Sequence, residues 1–260
     1  MDKKSKYRLG KVFITITNPQ NTIERIYSAI ENKQSGYICV SNVRTTRLAN
    51  INNEYENVMS ESLMNIPDGM PLIWLARAWG IKDAQRSNGP TLFRNMLNDK
   101  QNGLKHFLLG DTEETLSKIK QLLEQDYNNS VVGMVSPPFC NIEDYDYDDY
   151  VKQIKESGAY IVWTSLGAPK QDIFSRNLLK RNALSGDSPL IIIGVGAAFR
   201  FYVNEYKEPN KQLQKFGLTG FFIRKIDSHV LKLYFSYFRW IIKTLLSIYY
   251  KRIRGIKYYE

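Results

Sequence analysis

The stretch YIVWTSLGAPKQDIFSRNLLKRN, residues 160–182, contains the pattern that decides the fold. Its first part, Tyr160–Thr164, is a short and almost uninterrupted apolar run, typical of a strand that is buried on both faces of a parallel sheet. Its last part, Gln171–Asn182, has the 3.6-residue apolar spacing of an amphipathic helix. Gly167–Pro169 connects the two with residues that favour a turn. A buried strand that leads through a turn into a helix is the repeating unit of an α/β fold.

The same alternation of strand and helix patterns runs through most of the chain. Strands that alternate with helices predict a Rossmann-like parallel sheet with helices on both faces, and we assign residues 1–208 to this core. The other predicted strands are Val12–Thr17, Tyr37–Val40, Leu63–Ile66, His106–Leu109, Val131–Val135 and Leu190–Ile193. The other predicted helices are Thr22–Lys33, Pro71–Trp79, Pro90–Asn98, Glu113–Asp126 and Tyr147–Ser157.

The positive charge of the chain is concentrated at its end. The 260 residues include 36 Lys and Arg against 26 Asp and Glu, and the residues after Phe222 contribute +7 of the net +10. With 43% hydrophobic and 24% charged residues, the composition is that of a globular chain and excludes a disordered or collagen-like one. Because the cations gather in one segment, they favour an anionic membrane surface over nucleic acid as the partner.

Cysteine, histidine and the N-terminus exclude several classes of protein. Cys39 and Cys140 are too few for a disulfide framework, so we expect reduced packing residues of a cytosolic protein. No apolar run of about 7–15 residues follows the basic Met1–Arg8, so we expect no signal peptide and a site that faces the cytoplasm. His106 lies in a strand pattern and His229 in the tail, which leaves a Ser/His/Asp mechanism without a base. No metal-ligand spacing and no GxxxxGK[ST] phosphate loop are present.

Glycines and polar residues gather directly after the predicted strands. In an open parallel sheet, ligands bind outside the carboxyl ends of the strands, so these residues predict one site along that edge. They are Ser41, Asn42, Asp68, Gly69, Gly110, Asp111, Gly167–Asp172, Gly194 and Gly196.

Asp68 is the candidate for acid–base chemistry. It lies in Asn65–Pro71 (NIPDGMP), where Pro67 and Gly69 fix the backbone of a turn and Pro71 can open a helix. A carboxylate at such a turn can take a proton from a hydroxyl nucleophile within hydrogen-bond reach. The same carboxylate can instead cap the helix, and the spacing alone leaves both interpretations open.

Three further groups suit a ligand that carries phosphate. In Gly167–Asp172 the small residues allow close approach to the backbone, while Lys170 and Gln171 offer a cation and an amide at a helix N-terminus. Gly194–Phe199 (GVGAAF) is rich in glycine, but it ends in Phe and has no acidic residue about 20 positions on, which disfavours dinucleotide binding. Arg86 is a loop cation that can pair with a diphosphate or remain a solvated surface residue.

The C-terminal segment, residues 209–260, predicts a helical appendage. Val230–Tyr250 has a wide apolar surface and a narrow polar stripe, and cations in the stripe disfavour a spanning helix because each costs about 2.5–3.5 kcal/mol at the bilayer centre. The pattern predicts a helix that lies in the membrane interface, with Trp240 at headgroup depth and the cations toward anionic headgroups. A helix that packs on the domain or against a second copy is the alternative. The cations of the stripe are Lys232, Arg239 and Lys243.

Several of these motifs together resemble those of the WecG/TagA/CpsF glycosyltransferases, glycosyltransferase family 26, from about Val12 to Arg224. The resemblance rests on Ser41-Asn42, Asn65–Trp74 (NIPDGMPLIW), the Arg86 loop, Phe107–Gly110 (FLLG), Leu166–Asp172 (LGAPKQD) and Gly194–Phe199 (GVGAAF). It implies a Rossmann-like fold and an inverting, metal-independent transfer from a UDP-sugar to an undecaprenyl-diphosphate-linked saccharide. The implied sugar is N-acetylmannosamine, its uronic acid or a hexose.

The resemblance also implies roles for individual residues. Asp68 would deprotonate the acceptor hydroxyl, while Asn42, Arg86 and Gln171 would orient donor and acceptor. The other implied substrate-binding residues are Ser41, Asn65, Gly69, Gly110, Gly167, Ala168, Pro169, Lys170, Gly194 and Gly196. The implied enzyme is peripheral on the inner face of a bacterial cell membrane, builds a surface glycan, needs no cofactor beyond the UDP-sugar and can form a homo-oligomer. A non-catalytic nucleotide-binding or membrane-associated module on the same fold is the alternative.

The sequence departs from the family pattern at three places. Arg200 follows the GVGAAF motif where many relatives have Asp, and Val203-Asn204 replaces their Ala-Gly. Thr219–Phe221 replaces the Glu-Trp-Leu that usually opens the C-terminal segment. These departures bear on the identity of the transferred sugar and on the placement of the C-terminal appendage over the site. They leave the Asp68 and GAPKQ motifs intact.

Overall fold

A computed structural model describes residues 5–99, 103–126, 128, 130–184, 189–207 and 228–259. The strands in this part of the chain are β1 (Lys6–Leu9), β2 (Val12–Thr15), β3 (Gly36–Ser41), β4 (Met64–Pro67), β5 (His106–Gly110), β6 (Val131–Val135), β7 (Ile161–Ser165) and β8 (Ile191–Gly194). Strands β3 to β8 form one parallel sheet in the order β4-β3-β8-β7-β5-β6. The predicted parallel α/β sheet is confirmed.

Helices cover both faces of this sheet, as predicted. Those described are α1 (Pro19–Glu31), α2 (Val43–Ile51), α3 (Asn53–Glu61), α4 (Met70–Ala78), α5 (Gly89–Asn98), α6 (Glu113–Gln125), α7 (Tyr147–Ser157), α8 (Lys170–Leu184), α9 (Ala198–Tyr202) and α10 (Ser228–Ile253). Helices α1, α5, α6 and α9 pack on one face, and α2, α3, α4, α7, α8 and α10 pack on the other. Successive strand residues point to opposite faces, so Ile192 enters one core while Ile191 and Ile193 enter the other.

The first predicted strand, Val12–Thr17, is not part of the parallel sheet. Val12–Thr15 pairs antiparallel with Lys6–Leu9, through a turn in which Gly10 has φ +66°. Two strands joined by so short a turn can pair only antiparallel, because a parallel pair needs a crossover of a dozen or more residues. The prediction missed Lys6–Leu9 because the segment is short and basic. Its alternation of half-buried and buried residues spans only four positions, too few to stand out in the sequence.

Helices α2 and α3 were also missed by the sequence analysis. Asparagines start both of them: the Asn42 side-chain oxygen accepts from the Thr45 backbone N–H at 3.2 Å, and that of Asn52 accepts from the Tyr55 N–H at 2.9 Å. Asn52 is also the C-cap of α2, directly after its last residue Ile51. Two nine-residue helices that share one polar residue leave no long apolar period in the sequence, and the caps are the signal that remains.

One side of α10 packs on the domain. Ile248 is buried, and the Arg252 guanidinium donates to the Ala78 carbonyl oxygen at 2.7 Å, at the end of α4. Trp240 packs partly buried against the core, and its place at headgroup depth stays a prediction. No helix in the described part of the chain is both long and apolar enough to span a bilayer. The predicted boundary at residues 208–209 and the departure at Thr219–Phe221 lie outside the described residues.

The opposite side of α10 carries exposed apolar side chains, which we call the α10 stripe. Their spacing of three and four residues forms a straight row along the helix. At about 100° per residue, the three cations of the predicted polar stripe lie within about 40° of one another along one flank of this row. The α10 stripe consists of Leu231, Phe235, Phe238, Ile242, Leu246, Tyr249 and Ile253, with exposed fractions from 41% to 68%.

Candidate active site

Asp68 lies directly after β4 and is held by two neighbours. Its backbone N–H donates to the Ser41 carbonyl oxygen at 2.8 Å, which continues the pairing of β3 and β4 beyond the end of β4. Arg86 donates from Nη2 to Asp68 Oδ1 at 3.1 Å and from Nε to the Asp68 carbonyl oxygen. The Asp68 side chain is 28% exposed. A substrate at the carboxyl edge of the sheet can therefore reach the carboxylate.

The structure excludes one of the two interpretations of Asp68. The N-cap of α4 is Gly69, which makes no side-chain cap hydrogen bond, so the helix-cap interpretation is wrong. Burial raises the pKa of the Asp68 carboxyl above its ordinary value, while the Arg86 guanidinium acts in the opposite direction by favouring the charged form. A carboxylate with a raised pKa binds a transferred proton more firmly than a solvated one, which suits a general base.

Asn42 and the start of α2 lie beside Asp68. A Cβ at Gly69 would lie 3.7 Å from the Asn42 Cβ, in ordinary contact. The Asn42 side-chain oxygen accepts from the Arg44 backbone N–H at 2.9 Å and so caps α2. The N-terminus of a helix favours negative charge, so α2 provides a positive potential next to the candidate base.

Gln171 faces inward, below the edge of the sheet. Its residue is 2% exposed, and its side-chain oxygen accepts from the Gly196 backbone N–H at 2.9 Å. Gly167, by contrast, has φ +74° and open space where a Cβ would stand, and the Ala168–Pro169 peptide bond that follows is cis. The Gln171 side chain therefore fixes the loop after β8. The surface that remains open to a ligand here is formed by the backbone of Gly167 and Gly196.

Three of the binding residues predicted from the sequence pack against neighbouring parts of the fold and present no open surface to a ligand. Asn65 is buried and donates from its side chain to the Met59 carbonyl oxygen at 2.8 Å. Gly110 has φ +128°, and a Cβ there would lie 2.7 Å from the Ser165 backbone. A Cβ at Gly194 would lie 3.0 Å from the Gln171 side-chain nitrogen. These residues let neighbouring elements approach closely, which shapes the edge from below.

Comparison with known proteins gives the family of the chain. The model of the "Glycosyl transferase WecG/TagA/CpsF family" matches residues 7–227. The chain belongs to this family. It is 23% identical over 251 residues, 95% of its length and 89% of the relative's, to the N-acetylglucosaminyldiphosphoundecaprenol N-acetyl-beta-D-mannosaminyltransferase of Bacillus subtilis (strain 168). The chain is therefore a glycosyltransferase, and the carboxyl edge of the sheet is the candidate for its active site.

In this glycosyltransferase Arg200, which departs from the family pattern, pairs with the carboxylate of Asp111. Arg200 donates to both oxygens of the Asp111 carboxylate at 2.9–3.1 Å, and its Nη1 donates to the Tyr206 hydroxyl at 3.2 Å. Asp111 has φ +59°, a conformation rare for a residue other than glycine, in the loop after β5. Sequence reasoning missed this pair, although the Gly110-Asp111 turn and the unusual Arg200 were both visible.

A buried carboxyl group lies beneath the candidate site. Asp172 is 1% exposed, accepts a hydrogen bond from the Tyr55 hydroxyl and has a buried Oδ1 that lies near Gly194. Burial raises the pKa of Asp172 to about 7, against the opposing effects of Tyr55, Cys39 and Gln171. Sequence reasoning placed Asp172 at the sheet edge within Gly167–Asp172 but not beneath it, because nothing in the motif shows which way its side chain points.

Asp172 should make the stability of the protein depend on pH. Between about pH 4 and 7 the unfolded chain has lost this proton and the folded protein retains it, so the free energy of unfolding falls as the pH rises and levels off above 7. At about 1.4 kcal/mol per pKa unit, the decline amounts to a few kcal/mol. Asp172→Asn is expected to remove it. Urea unfolding from pH 4.5 to 8 measures this, and an unchanged slope in the variant would assign the decline to other groups.

Proposed function

We propose that this enzyme is an inverting, metal-independent transferase that moves N-acetylmannosamine from a UDP-sugar to an undecaprenyl-diphosphate-linked saccharide. The observation that carries the proposal is the partly exposed Asp68 carboxylate, held by Arg86 next to the N-terminus of α2. The name of the Bacillus subtilis relative supports this sugar and this acceptor. The transfer assay below also compares two other kinds of donor, the UDP-linked uronic acid of this sugar and UDP-hexoses.

The site can perform this transfer in one displacement. Asp68 accepts the proton of the acceptor hydroxyl while that oxygen forms a bond to the anomeric carbon of the donor. The bond between this carbon and the diphosphate oxygen breaks, and UDP leaves with the electron pair. Attack opposite the leaving group inverts the configuration. The N-termini of α2 and α8 favour the negative charge that develops on the diphosphate.

We include metal independence in the proposal because the site offers other sources of positive potential. Arg86 and the two helix N-termini lie along the edge where the diphosphate would bind. Within the described residues, no three His, Cys, Asp or Glu side chains gather as a group that could hold a metal ion. A chelator is therefore part of the experiment.

The α10 stripe supports a peripheral location on the inner face of the cell membrane. Exposed apolar side chains along a helix, flanked by cations, match the chemistry of an anionic bilayer surface. Because α10 packs against α2 and α4, it lies on the side of the sheet where Asp68 follows β4. A lipid-linked acceptor would then approach Asp68 from the membrane side.

A transfer assay tests the proposed function. The full chain is incubated with UDP-N-acetylmannosamine, its uronic acid or UDP-hexoses, and with a synthetic prenyl-diphosphate-linked N-acetylglucosamine. We expect UDP release that needs the lipid-linked acceptor, is fastest with UDP-N-acetylmannosamine and is unchanged by EDTA. Free N-acetylglucosamine is the matched control for the lipid diphosphate. UDP release that is independent of acceptor, or absent with every donor, would contradict the proposal, and inhibition by EDTA would contradict metal independence.

A further inference from the structure

An open cavity of about 320 Å³ lies at the amino edge of the sheet, opposite the candidate active site. It is formed by the second half of α1, the residues that follow this helix, and the start of β4, where Met64 is part of its wall. Asp68 comes directly after the other end of β4. At about 3.3 Å per residue, about 13 Å of strand separates Met64 from Asp68. The cavity is therefore a separate place on the molecule, and the proposed transfer uses none of its residues.

Two half-buried cations meet at this cavity without an acidic partner in the described part of the chain. Arg25 lines the cavity, and Lys6 follows Ser5, which lines it too. Burial lowers the pKa of Lys6, and the nearby positive charge of Arg25 lowers it further. Burial also lowers the pKa of Arg25, whose buried Nη1 has no hydrogen-bond partner among the described residues. Because buried charges in proteins are normally paired, this arrangement calls for an anion.

The neutral side chains of the cavity add hydrogen-bond donors to the two cations. The Ser28 hydroxyl oxygen accepts from the Asn32 amide at 3.3 Å, which leaves its own O–H able to donate. Gln34 is exposed, lines the cavity and offers the N–H groups of its amide. A guanidinium, an ammonium, a hydroxyl and an amide around one cavity match the oxygens of a phosphate group. The volume is at the lower end for small-molecule pockets, so a small organic group fits beside the phosphate.

We propose that this cavity binds the phosphate group of a small phosphorylated metabolite, held by Lys6 and Arg25. A phosphomonoester carries a charge of about −2 at neutral pH, which matches the two cations, whereas a single carboxylate would leave one of them unpaired. Helix α1 packs on the face of the sheet opposite to α10, so the cavity lies away from the α10 stripe. The expected ligand is therefore a soluble phosphate ester and not a lipid headgroup. This inference does not depend on the proposed function.

Calorimetric titration of the full chain with inorganic phosphate and with glucose 6-phosphate tests the proposal. We expect saturable binding of both probes by the wild type. Arg25→Gln and Lys6→Gln should each raise the Kd about 10- to 150-fold, the effect of losing a charged hydrogen-bond partner. Arg25→Lys should have a smaller effect, because it keeps the charge and loses only the planar fork. Lys33→Gln is the matched control, since Lys33 is exposed just after α1 and does not line the cavity.

Two further variants separate this cavity from other places that attract phosphate. Arg86→Gln removes the cation beside Asp68 and should leave the affinity for both probes unchanged. Arg25→Gln should bind vesicles that contain phosphatidic acid as the wild type does, and weaker vesicle binding would overturn the assignment of a soluble ligand. Circular dichroism checks that each variant folds, and Lys6→Gln carries the test if Arg25→Gln does not.

Three results would overturn the proposed cavity. They are a wild type that binds neither probe, an equal loss of affinity in Lys33→Gln and Arg25→Gln, and a loss in Arg86→Gln that is absent from Arg25→Gln. The first leaves no site, the second assigns the binding to general surface charge, and the third assigns it to the carboxyl edge. Acceptor-dependent UDP release by the wild type would leave the proposed function standing in every case.

Discussion

Asp68→Asn is expected to lower kcat/KM for sugar transfer about 10²- to 10⁴-fold, the range that a general base contributes. Asparagine keeps an oxygen that can accept from Arg86, so the turn between β4 and α4 should retain its shape. Its amide cannot take the proton of the acceptor hydroxyl. UDP affinity should change little, because the substitution leaves the turn and its hydrogen bond to Arg86 in place. Steady-state transfer assays, UDP titration and circular dichroism together measure the three quantities.

The pH dependence gives Asp68 a second signature. Burial raises the pKa of this carboxyl, so the acid limb of kcat/KM in the wild type should lie above the range of an ordinary aspartate. The limb should be absent from the residual activity of Asp68→Asn. Asp83→Asn is the matched control, since it changes an exposed aspartate on the connection between α4 and α5. Near wild-type turnover by folded Asp68→Asn would contradict its role as base.

The six strands of the parallel sheet could be predicted because each is short, apolar and bounded by polar residues. Ile191–Gly194 and Ile161–Ser165 are buried along their whole length, so their apolar runs are almost unbroken. Strand direction is less visible in the sequence. Val12–Thr15 has the composition of a parallel strand, yet its pairing was decided by the short turn at Gly10 and by Lys6–Leu9, whose alternating pattern is weak.

The clustering of the candidate site residues along one edge was predictable, but the direction of their side chains was not. The carboxyl ends of parallel strands share one edge by geometry, which brought Asp68 and the glycine loops together. Whether a residue at a strand end points up or down depends on contacts that are distant in sequence. Gln171 turns down to the Gly196 N–H, and Lys170 turns to the loop after β6. The GAPKQ motif predicted that Lys170 and Gln171 lie at the sheet edge. Their hydrogen-bond partners, which are distant in sequence, determine which groups each side chain can contact.

Phe238→Ser combined with Leu246→Ser is expected to weaken binding to vesicles of anionic lipid by at least about 100-fold. Both side chains belong to the α10 stripe and are more than half exposed, so they add little to the domain core. Each contributes about 1.5–3 kcal/mol when it enters an apolar phase. Vesicle flotation measures the binding. Ile51→Ser with Leu184→Ser is the matched control, because these exposed apolar side chains lie outside the stripe.

Substitution of the three cations beside the stripe, Lys232, Arg239 and Lys243, by Gln tests the electrostatic part separately. Each basic residue near an anionic surface is worth about 1 kcal/mol, so the triple variant should lose about 100-fold in affinity for anionic vesicles and little for neutral ones. The wild-type affinity should fall as salt rises, and that of the triple variant should not. If the stripe instead joins two copies, the wild type will sediment as a dimer and the serine variant as a monomer, with vesicle binding unchanged. That result would overturn the membrane assignment and leave the chemistry proposed for Asp68 unaffected, because α10 and Asp68 lie on different elements of the fold.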